Sequence, residues 1–325
     1  MAYEYRYAEL HCHSNFSFLD GVSSPVEIVE RALEVELPIC ALTDHNGLYG
    51  VVAFSSAAKG TTLRTVFGAE LTLNSDRPRD NVEDPSGNHI VALAKGPRGY
   101  GQLSRLISEG HMKNREKGSF VLTLDDLSHN NLDDIYFLSG CRKGGISQAL
   151  YAYGPSAALK EAFRLSEALG RDNFAIECWD HGDPVDEVRN DELIRIADRA
   201  RLNVLATNNV HYARQSGART FATVAAIRAN RTLDEIEGWL PPSHLAYLRS
   251  PKEQYRRFRR CERLLENAYE VGDMCAFDLS LVAPKLPSFE RPDGISEASY
   301  LRQLTYEGAA KRYGPRSNER VRGGI

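Results

Sequence analysis

The chain has 325 residues, of which 42% are hydrophobic and 26% charged, and its formal net charge is −4 at pH 7. This length allows one large domain or two ordinary ones with a sizeable core. A protein that contacts phosphates over its whole surface is usually strongly basic, so any contact with nucleic acid must be local. Six widely spaced cysteines without a C-x-x-C pair indicate a reducing compartment and no zinc knuckle. The sequence has no apolar signal segment and no membrane-length apolar run, which predicts a soluble, cytoplasmic protein without a membrane partner.

Short apolar runs alternate with longer amphipathic stretches along the chain. "YAELH" precedes "PVEIVERALEVE", "ICALTDH" precedes "YGVVAFSSAAK", and "DNFAIECWD" precedes "VDEVRNDELIRIADRARL", which leads into "NVLATNNVH". Repeated strand and helix predict an α/β fold with a largely parallel sheet, open or closed into a barrel, whose ligands gather where strands end. The polar loop between "LTL" and "IVALA" predicts a hairpin at the rim.

Good metal ligands cluster at these predicted strand ends. His11 and His13 lie two residues apart in an extended segment, so both imidazoles point to one side and Cys12 to the other. Similar clusters occur in "TDHNG", in "GAE" after "RTVF" and in "TNNVH", whereas His89 opens its apolar run. A single histidine near a strand end usually bonds a backbone carbonyl, but the combination favours metal binding. The candidate ligands are His11, His13, Asp20, His45, Glu70, His89, Cys141 and His211.

Ordered motifs resemble a known family. "HCHSNFSFLDG", "ALTDHNGLYG", "FGAEL", "NHIVALAK", "LSGC" and "ATNNVHY" are similar to the successive motifs of the PHP (polymerase and histidinol phosphatase) domain at the N-terminus of bacterial DNA polymerase III α subunits. "RTLDEIEGWLPPSHLAYLRSPKEQYRRF" and "CAFDLSLVAPKLPSFERPDG" resemble most the error-prone paralogue used in damage-induced mutagenesis. The resemblance implies a distorted seven-stranded (βα) barrel of PHP type over residues 1–285, with a metal cluster at its C-terminal mouth.

The last part of the chain resembles the segment that leads into the polymerase palm. The motif "YLRQLTYEGAAKRYG" carries this resemblance, which implies that residues 286–325 begin the connection to the palm. The aspartates of a palm do not follow before the chain stops at "VRGGI". We therefore expect the N-terminal part of a longer polypeptide that does not synthesise DNA by itself.

The resemblance also assigns the ligands to three metal positions. It places His11 and His13 on one metal with Glu70, and it places His89 and Cys141 on a second metal with Glu70 as the bridge. The third metal would be held by Asp20, His45 and His211. Cys141 as a ligand is favoured over a nucleophile or a plain buried thiol, because a catalytic thiol needs a free base beside it.

Two further residues complete the expected site. The family's ninth ligand is an aspartate in a D-x-H pair, and here that position is Asn209, whose amide brings no charge and is a weaker ligand. Alternatively, Asn208 and Asn209 only cap the following turn. Asp44 is expected to orient an imidazole as an outer acceptor, or to serve as a turn or N-cap carboxylate.

The expected chemistry follows from the charge of the ions. Two to three divalent ions, of zinc, manganese or iron rather than magnesium, suit the mixed nitrogen, oxygen and sulfur ligands. They imply a metal-dependent phosphoesterase whose nucleophile is a metal-bound water held by Glu70, His11 and His13. The expected substrates are the 3′ end of a DNA primer, as in a 3′-5′ exonuclease, or pyrophosphate.

Other functions and partners are also open at this point. The alternatives are a non-catalytic module that supports the polymerase and a free-standing phosphomonoesterase of the histidinol-phosphatase kind, against which the polymerase-like segment Pro284 to Gly314 argues. Expected partners are a DNA primer-template and the palm and thumb of the same polypeptide. A sliding clamp and translesion accessory proteins would bind through parts that this chain lacks.

The run "YRRFRRCERLL" concentrates positive charge in what the sequence predicts to be a helix. Its arginines could contact a DNA backbone or an acidic polymerase domain. Alternatively, they pair with Glu262 and Glu266 on a solvated helix. The arginines are Arg256, Arg257, Arg259, Arg260 and Arg263.

Overall fold

We describe the protein from a computed structural model. It describes residues 5–75, 81–82, 84–113, 119–130, 132–241, 243–282 and 289–314. Contacts divide the chain into two compact units, Met1–Val282 and Ala283–Ile325. The expected start of a polymerase connection at residue 286 lies outside the described residues, and that role stays a prediction.

Seven strands of the first unit form one sheet in chain order. Neighbouring strands are parallel except that the fourth strand is antiparallel to both the third and the fifth. The predictions of an α/β fold, a largely parallel sheet and a hairpin between "LTL" and "IVALA" are therefore confirmed. The strands are β1 Ala8–Glu9, β2 Ile39–Leu42, β3 Arg64–Leu73, β4 Asn88–Ala94, β5 Ile135–Leu138, β6 Phe174–Cys178 and β7 Asn203–Ala206.

The sheet curls into the expected distorted barrel, and its two ends meet just beyond β1 and β7. Cys12 forms a parallel bridge with Val210. The amide of His13 donates to the carbonyl of Val210, and the amide of Val210 donates to the carbonyl of His11, each at 2.8 Å. The ring is therefore closed at its mouth, next to the two histidines.

Helices cover the outside of the sheet, and several of them begin at capping boxes. Ser24, Thr123, Thr232 and Ser250 each exchange hydrogen bonds with an acidic residue three positions later, which satisfies amides of the first turn. In the first unit the helices are α1 Pro25–Glu34, α2 Val51–Ala58, α3 Pro97–Met112, α4 Leu124–His129, α5 Gly145–Tyr153, α6 Pro155–Leu169, α7 Asp186–Ala200, α8 Ala218–Ala229, α9 Leu233–Ile236, α10 Pro251–Arg257 and α11 Arg263–Cys275.

The second unit contains the helix α12, Glu297–Tyr313. Ser296 caps its first turn by accepting from the amide of Ser299, and Gly314 follows its last turn. Among the described helices of the whole chain, none has the length and apolar character needed to cross a membrane.

Two elements differ from the sequence prediction. Glu70 does not follow a strand, because β3 runs on to Leu73 where β4 pairs with it in antiparallel register. The arginine-rich run is not one helix either, because α10 ends at Arg257 and α11 begins at Arg263. The buried ring of Phe258 ends the first of these helices, so the arginines do not surround a single helix axis.

Two glycines of α3 offer a matched test of the packing of this helix on the sheet. A Cβ atom at Gly99 would lie 2.0 Å from the carbonyl oxygen of Asp134, whereas a Cβ atom at Gly101 would meet nothing within 4 Å. We expect Gly99→Ala to lower the free energy of unfolding by about 1–3 kcal/mol, because the helix must shift away from β5. Gly101→Ala should leave it unchanged or raise it by up to about 1 kcal/mol through helix propensity.

Urea denaturation of the two variants and the parent chain measures both effects. The substitution is the same and the positions are two residues apart in one helix, so equal effects would contradict the packing argument.

Candidate metal centre

Isolated bridges just beyond the strand ends bring the candidate ligands together at the mouth of the barrel. His45 bridges to Glu70, and His89 bridges to Gly144, while the bridge from Cys12 lies between His11 and His13. Because β4 is antiparallel, its first residues lie at the same edge as the last residues of the parallel strands. This explains why His89 opens an apolar run and still reaches the site.

Three acceptor groups, two imidazoles and one carboxylate, converge at the first candidate position. His11 Nε2 lies 3.3 Å from Glu70 Oε1, and His13 Nε2 lies 3.5 Å from Glu70 Oε2. The two Nε2 atoms are 3.2 Å apart. Ligand atoms bound tetrahedrally to one zinc ion at about 2.1 Å are about 3.4 Å from one another. The spacing of these buried atoms therefore fits a metal ion without rearrangement.

Hydrogen bonds on the far side of each ring determine which nitrogen carries a proton. His11 Nδ1 lies 2.7 Å from Glu177 Oε1, a carboxylate that can only accept. The Ser17 hydroxyl donates to Asp44 Oδ1 at 2.7 Å, so it must accept from His13 Nδ1 at 3.1 Å. Both rings thus carry a proton at Nδ1 and turn Nε2 towards Glu70. The two Nε2 atoms and the carboxylate are acceptors, so a cation, or a second proton on His11, must lie between them.

The second candidate position surrounds the other side of the Glu70 carboxylate. His45 Nδ1 lies 3.0 Å from Glu70 Oε2, and His89 Nδ1 lies 3.1 Å from Glu70 Oε1. Cys141 Sγ donates to Glu70 Oε1 at 3.5 Å. Burial and the charge of Glu70 raise the pKa of this thiol well above its usual value, so without a metal it is not a nucleophile.

The third expected set is looser than the first two. Asp20 Oδ2 lies 2.6 Å from His45 Nε2 and 4.0 Å from His211 Nδ1. Its other oxygen accepts from Arg228 Nη1 at 2.9 Å. His45 thus contacts Glu70 through one nitrogen and Asp20 through the other, and it joins the two parts of the site.

Asn209 lines the same cavity as these ligands. Its backbone lies in the left-handed region at φ 42°, which asparagine tolerates better than most residues. Its Oδ1 atom is buried, as is Nδ1 of His211, and neither has a hydrogen-bond partner among the described residues. Asn208 instead donates through Nδ2 to the carbonyls of Leu245 and Tyr247. Turn capping therefore does not account for the Asn209 oxygen.

Electrostatics in the cluster reflect one buried carboxylate among imidazoles. Burial alone would raise the pKa of Glu70, but His89, His45 and His11 outweigh it and hold the pKa well below its usual value. Burial lowers the pKa of His11, but Glu177 and Glu70 outweigh burial and leave it well above the usual range. For His13, burial and the neighbouring His45 lower the pKa instead.

Asp44 contacts no imidazole itself among the described residues, and its expected role in orienting one stays a prediction. Its carboxylate accepts from the amide and hydroxyl of Ser14 at 2.7 and 2.8 Å and from the hydroxyl of Ser17. Asp44 therefore acts on His13 only through Ser17, because the loop between His13 and Asp20 folds back over it. The carboxylate that contacts an imidazole from outside is Glu177, which also accepts from the hydroxyl of Thr207.

Several residues that the sequence analysis did not select border the site. Glu177 and Glu9 are fully buried acids inside apolar strands, a signal that each needs a partner. Glu9 accepts from the amides of His11 and Asn208, and burial raises its pKa to about 7. The cavity above the ligands measures about 460 Å³, and its cationic lining consists of Arg142, Lys143, Arg189 and Arg228.

The arginine-rich run lies in a different groove, and most of its charges already have partners. Arg257 Nη1 lies 3.1 Å from Asp180 Oδ1, and Arg260 pairs with Glu187 and, at 3.5 Å, with Asp191. Arg263 lies 3.6 Å from Asp198. These acids belong to α7 and the segment before it. The predicted pairing with Glu262 and Glu266 is therefore wrong for these three arginines.

The fold and the cluster together define an α/β barrel with a candidate centre for more than one metal ion at its mouth. The family model described as "PHP domain" matches residues 9–181, and the chain belongs to this family. An error-prone DNA polymerase from Mycobacterium tuberculosis (strain ATCC 25618 / H37Rv) is 45% identical over 309 residues, 95% of this chain and 28% of that protein. Its counterpart in Nocardia farcinica is 42% identical over 353 residues, 95% of this chain and 30% of that protein. The resemblance to the error-prone group is thus confirmed.

The chain spans less than a third of the length of these relatives. Among solved structures, an amidohydrolase from Chromobacterium violaceum with bound sulfate and no metal aligns with a TM-score of 0.43 and 17% identity. The alignment covers 63% of this chain and 87% of that one. A similarity of this size carries no argument.

His181 provides a test of burial at the edge of the cavity. Its Nε2 donates to the carbonyl of Asn208 at 2.6 Å, and burial lowers its pKa to about 3. An unfolded chain binds a proton here near pH 6.5 while the folded chain does not. His181 thus contributes stability above pH 6.5 that is lost progressively as the pH falls towards 3.

We expect His181→Gln, which cannot titrate, to reduce the loss of unfolding free energy between pH 7 and pH 5 by about 2 kcal/mol relative to the parent chain. Urea denaturation in chelator at the two pH values measures it. Parallel acid losses in both proteins would contradict the burial of a neutral imidazole.

Proposed function

We propose that the chain is a metal-binding PHP module that hydrolyses phosphate esters. The observation that carries the proposal is the convergence of His11 Nε2, His13 Nε2 and the Glu70 carboxylate within 3.2–3.5 Å of one another, with the Nδ1 proton of each ring directed away from the cluster. A hydrogen-bonded structural cluster has donors opposite acceptors, whereas a ligand set leaves its acceptors bare for a cation.

The described side chains would hold ions around Glu70. One ion suits His11, His13 and Glu70, and another suits His45, Glu70 and His89, since each group has its ligand atoms within 4.8 Å. Cys141 adjoins the second group through Glu70, whereas Asp20, His211 and Asn209 offer a third, looser position. Mixed imidazole, carboxylate and thiol ligands favour zinc, manganese or iron over magnesium.

The residues of the cavity suit a phosphate ester. When bound, divalent ions would activate water for attack at phosphorus and neutralise the charge of the phosphate. Glu70 would fix the ligand groups on either side of it, while Glu177 and Ser17 hold His11 and His13 in the orientation that binds. Arg142, Lys143 and Arg228 line the cavity, but Asp84 pairs with the first two and Asp20 with the third, so bound ions would supply most of the positive charge that attracts an anionic substrate.

The named relatives are DNA polymerases, which favours the 3′ end of a DNA strand, with pyrophosphate as the other candidate. A primer-template, the palm and thumb of the same polypeptide, a clamp and accessory proteins remain proposed partners, and a cytoplasmic location remains proposed as well. Contact of the basic run with DNA also stays a prediction. It now rests mainly on the exposed Arg256 and Arg259, because Arg257 and Arg260 are paired with acids.

Replacing both histidines of the first position tests the assignment. We expect His11→Ala/His13→Ala to lower the metal content per chain and to lower the thermal midpoint with it. A ligand present at 100 times its Kd contributes about 2.7 kcal/mol to the folded state. Elemental analysis of protein purified without chelator or histidine tag, followed by scanning calorimetry, measures both quantities.

His129→Ala is the matched control, because this histidine is exposed at the end of α4. In excess chelator the double variant and the parent chain should have similar midpoints. Unchanged metal content in the double variant would falsify the site assignment. Metal-dependent release of nucleotides from a 3′-labelled primer, present in the parent and lost in the double variant, tests the activity itself.

Asn209 separates a catalytic module from one in which metals only brace the fold. Because its amide is neutral, the site has one negative charge fewer than it would have with an aspartate at this position. We expect Asn209→Asp to raise the affinity for zinc or manganese about tenfold or more, because a carboxylate both coordinates and neutralises the ion. Competition with a chromogenic chelator measures the affinity. Equal affinity would show that this side chain does not reach an ion, and increased excision would show that the asparagine limits turnover.

A further inference from the structure

Trp239 is a large aromatic side chain that lines the rim of the metal cavity and remains 57% exposed. The chain has two tryptophans, and the other one, Trp179, is 4% exposed and covered by the guanidinium of Arg189 at 3.6 Å from its ring. Single exposed apolar side chains are common on protein surfaces. An exposed indole at the rim of a charged cavity is different, because it places an aromatic face where a ligand of the cavity would lie.

The backbone around Trp239 is anchored on both sides. The segment starts at α9, whose first turn is fixed by a capping box between Thr232 and Glu235. Ile236 before the indole and Leu240 after it pack against a small cluster of buried alanines on α8. The indole is thus exposed while its supporting turn is packed, so it is presented to solvent by a fixed backbone.

The helix that carries this segment also contacts the candidate ligands. Arg228, on α8, donates to Asp20 Oδ1 at 2.9 Å and to the carbonyl of Leu19 at 3.0 Å. Phe221, on the same helix, packs on His211 with ring centroids 5.1 Å apart. One helix therefore determines the position of Trp239 relative to the metal ligands.

The cavity combines two kinds of wall. Arg142, Lys143 and Arg228 supply positive charge, part of which their partners Asp84 and Asp20 offset. Trp239 supplies an aromatic surface, and Tyr151, 52% exposed on α5, supplies another. Pyrophosphate would interact with the cationic side chains, but it has no ring that could stack on an indole. A phosphate ester attached to a flat, unsaturated ring system uses both walls.

We propose that Trp239 is the residue on which an unstacked base at the end of a single DNA strand stacks while its phosphate lies over the metal ligands. This inference rests on the proposed phosphoesterase function for the choice of DNA as the ligand. It makes Trp239 a substrate-positioning residue whose effect falls on the binding of the base.

Binding to a fluorescein-labelled 12-nucleotide oligothymidylate in excess chelator tests the stacking without any hydrolysis. Anisotropy should show about tenfold weaker binding by Trp239→Ala, since stacking on an aromatic side chain typically changes affinity by this order. Trp239→Phe should restore most of the loss, because it keeps an aromatic face. Tyr153→Ala is the matched control, because Tyr153 is 82% exposed and does not line the cavity, and it should bind as the parent does.

Tryptophan emission gives an independent readout. The unlabelled oligonucleotide should quench the emission of the parent chain much more than that of Trp239→Phe, because the remaining Trp179 lines the same cavity but is only 4% exposed. An oligonucleotide with abasic residues at its 3′ end should bind the parent about as weakly as the normal one binds Trp239→Ala. Equal affinity of Trp239→Ala and the parent, or equal quenching in Trp239→Phe and the parent, overturns the proposal.

The same variants separate this inference from the proposed activity. Weaker binding by Trp239→Ala, with no excision by metal-loaded parent protein, would support the stacking role of Trp239 and contradict the proposed phosphoesterase activity. The opposite result is metal-dependent excision with equal binding and equal KM for Trp239→Ala and the parent. It would support the phosphoesterase activity and contradict the stacking role of Trp239.

Discussion

The carboxylate of Glu70 is the group on which the architecture of the mouth depends. It is 1% exposed, and four imidazoles from three separate segments approach its two oxygens. A buried carboxylate is costly unless positive charge or donors surround it, and three of the approaching nitrogens lie within about 3.3 Å. The antiparallel hairpin of β3 and β4 extends past the neighbouring strands and holds this charge inside the ring of loops instead of at its edge.

The hydrogen bonds behind the ligands determine what the cluster can bind. Glu177 and Ser17 fix a proton of His11 and of His13 on the outer nitrogens, so the inner nitrogens are the ones that face Glu70 and can take a metal ion. A protein that used these histidines only for packing would gain nothing from a buried carboxylate behind one of them. Arg228 has the opposite effect at Asp20, because it neutralises one oxygen of that carboxylate. The site thus presents a strongly acceptor-rich half around Glu70 and a partly neutralised half around Asp20.

The sequence was sufficient to predict the ligands that follow local rules. Alternation in an extended segment predicted the pairing of His11 with His13, and strand-end position predicted His45 and His211. Glu70 was selected as part of the motif, but its position inside β3 could not be predicted from the local sequence, because antiparallel pairing with β4 extends that strand. Glu177 and Arg228 were missed because they act on residues 166 and 208 positions away along the chain. In hindsight, an acid in the middle of the apolar "FAIEC" was the one local signal for Glu177. The break in the arginine-rich run was missed because burial of Phe258, a tertiary effect, ends the helix.

Charge limits how many ions this set of side chains can hold. The carboxylates at the site are Glu70 and Asp20, and Arg228 offsets part of the second one. The thiol of Cys141 adds a charge only when an ion displaces its proton, because burial and Glu70 hold its pKa high. With Asn209 in place of an acid, most remaining ligands are neutral imidazoles, which suit zinc-like ions better than hard cations. The ions around Glu70 should therefore bind more tightly than an ion near Asp20. An occupied Asp20 position would need a further anion, and the phosphate of a bound substrate would meet that need.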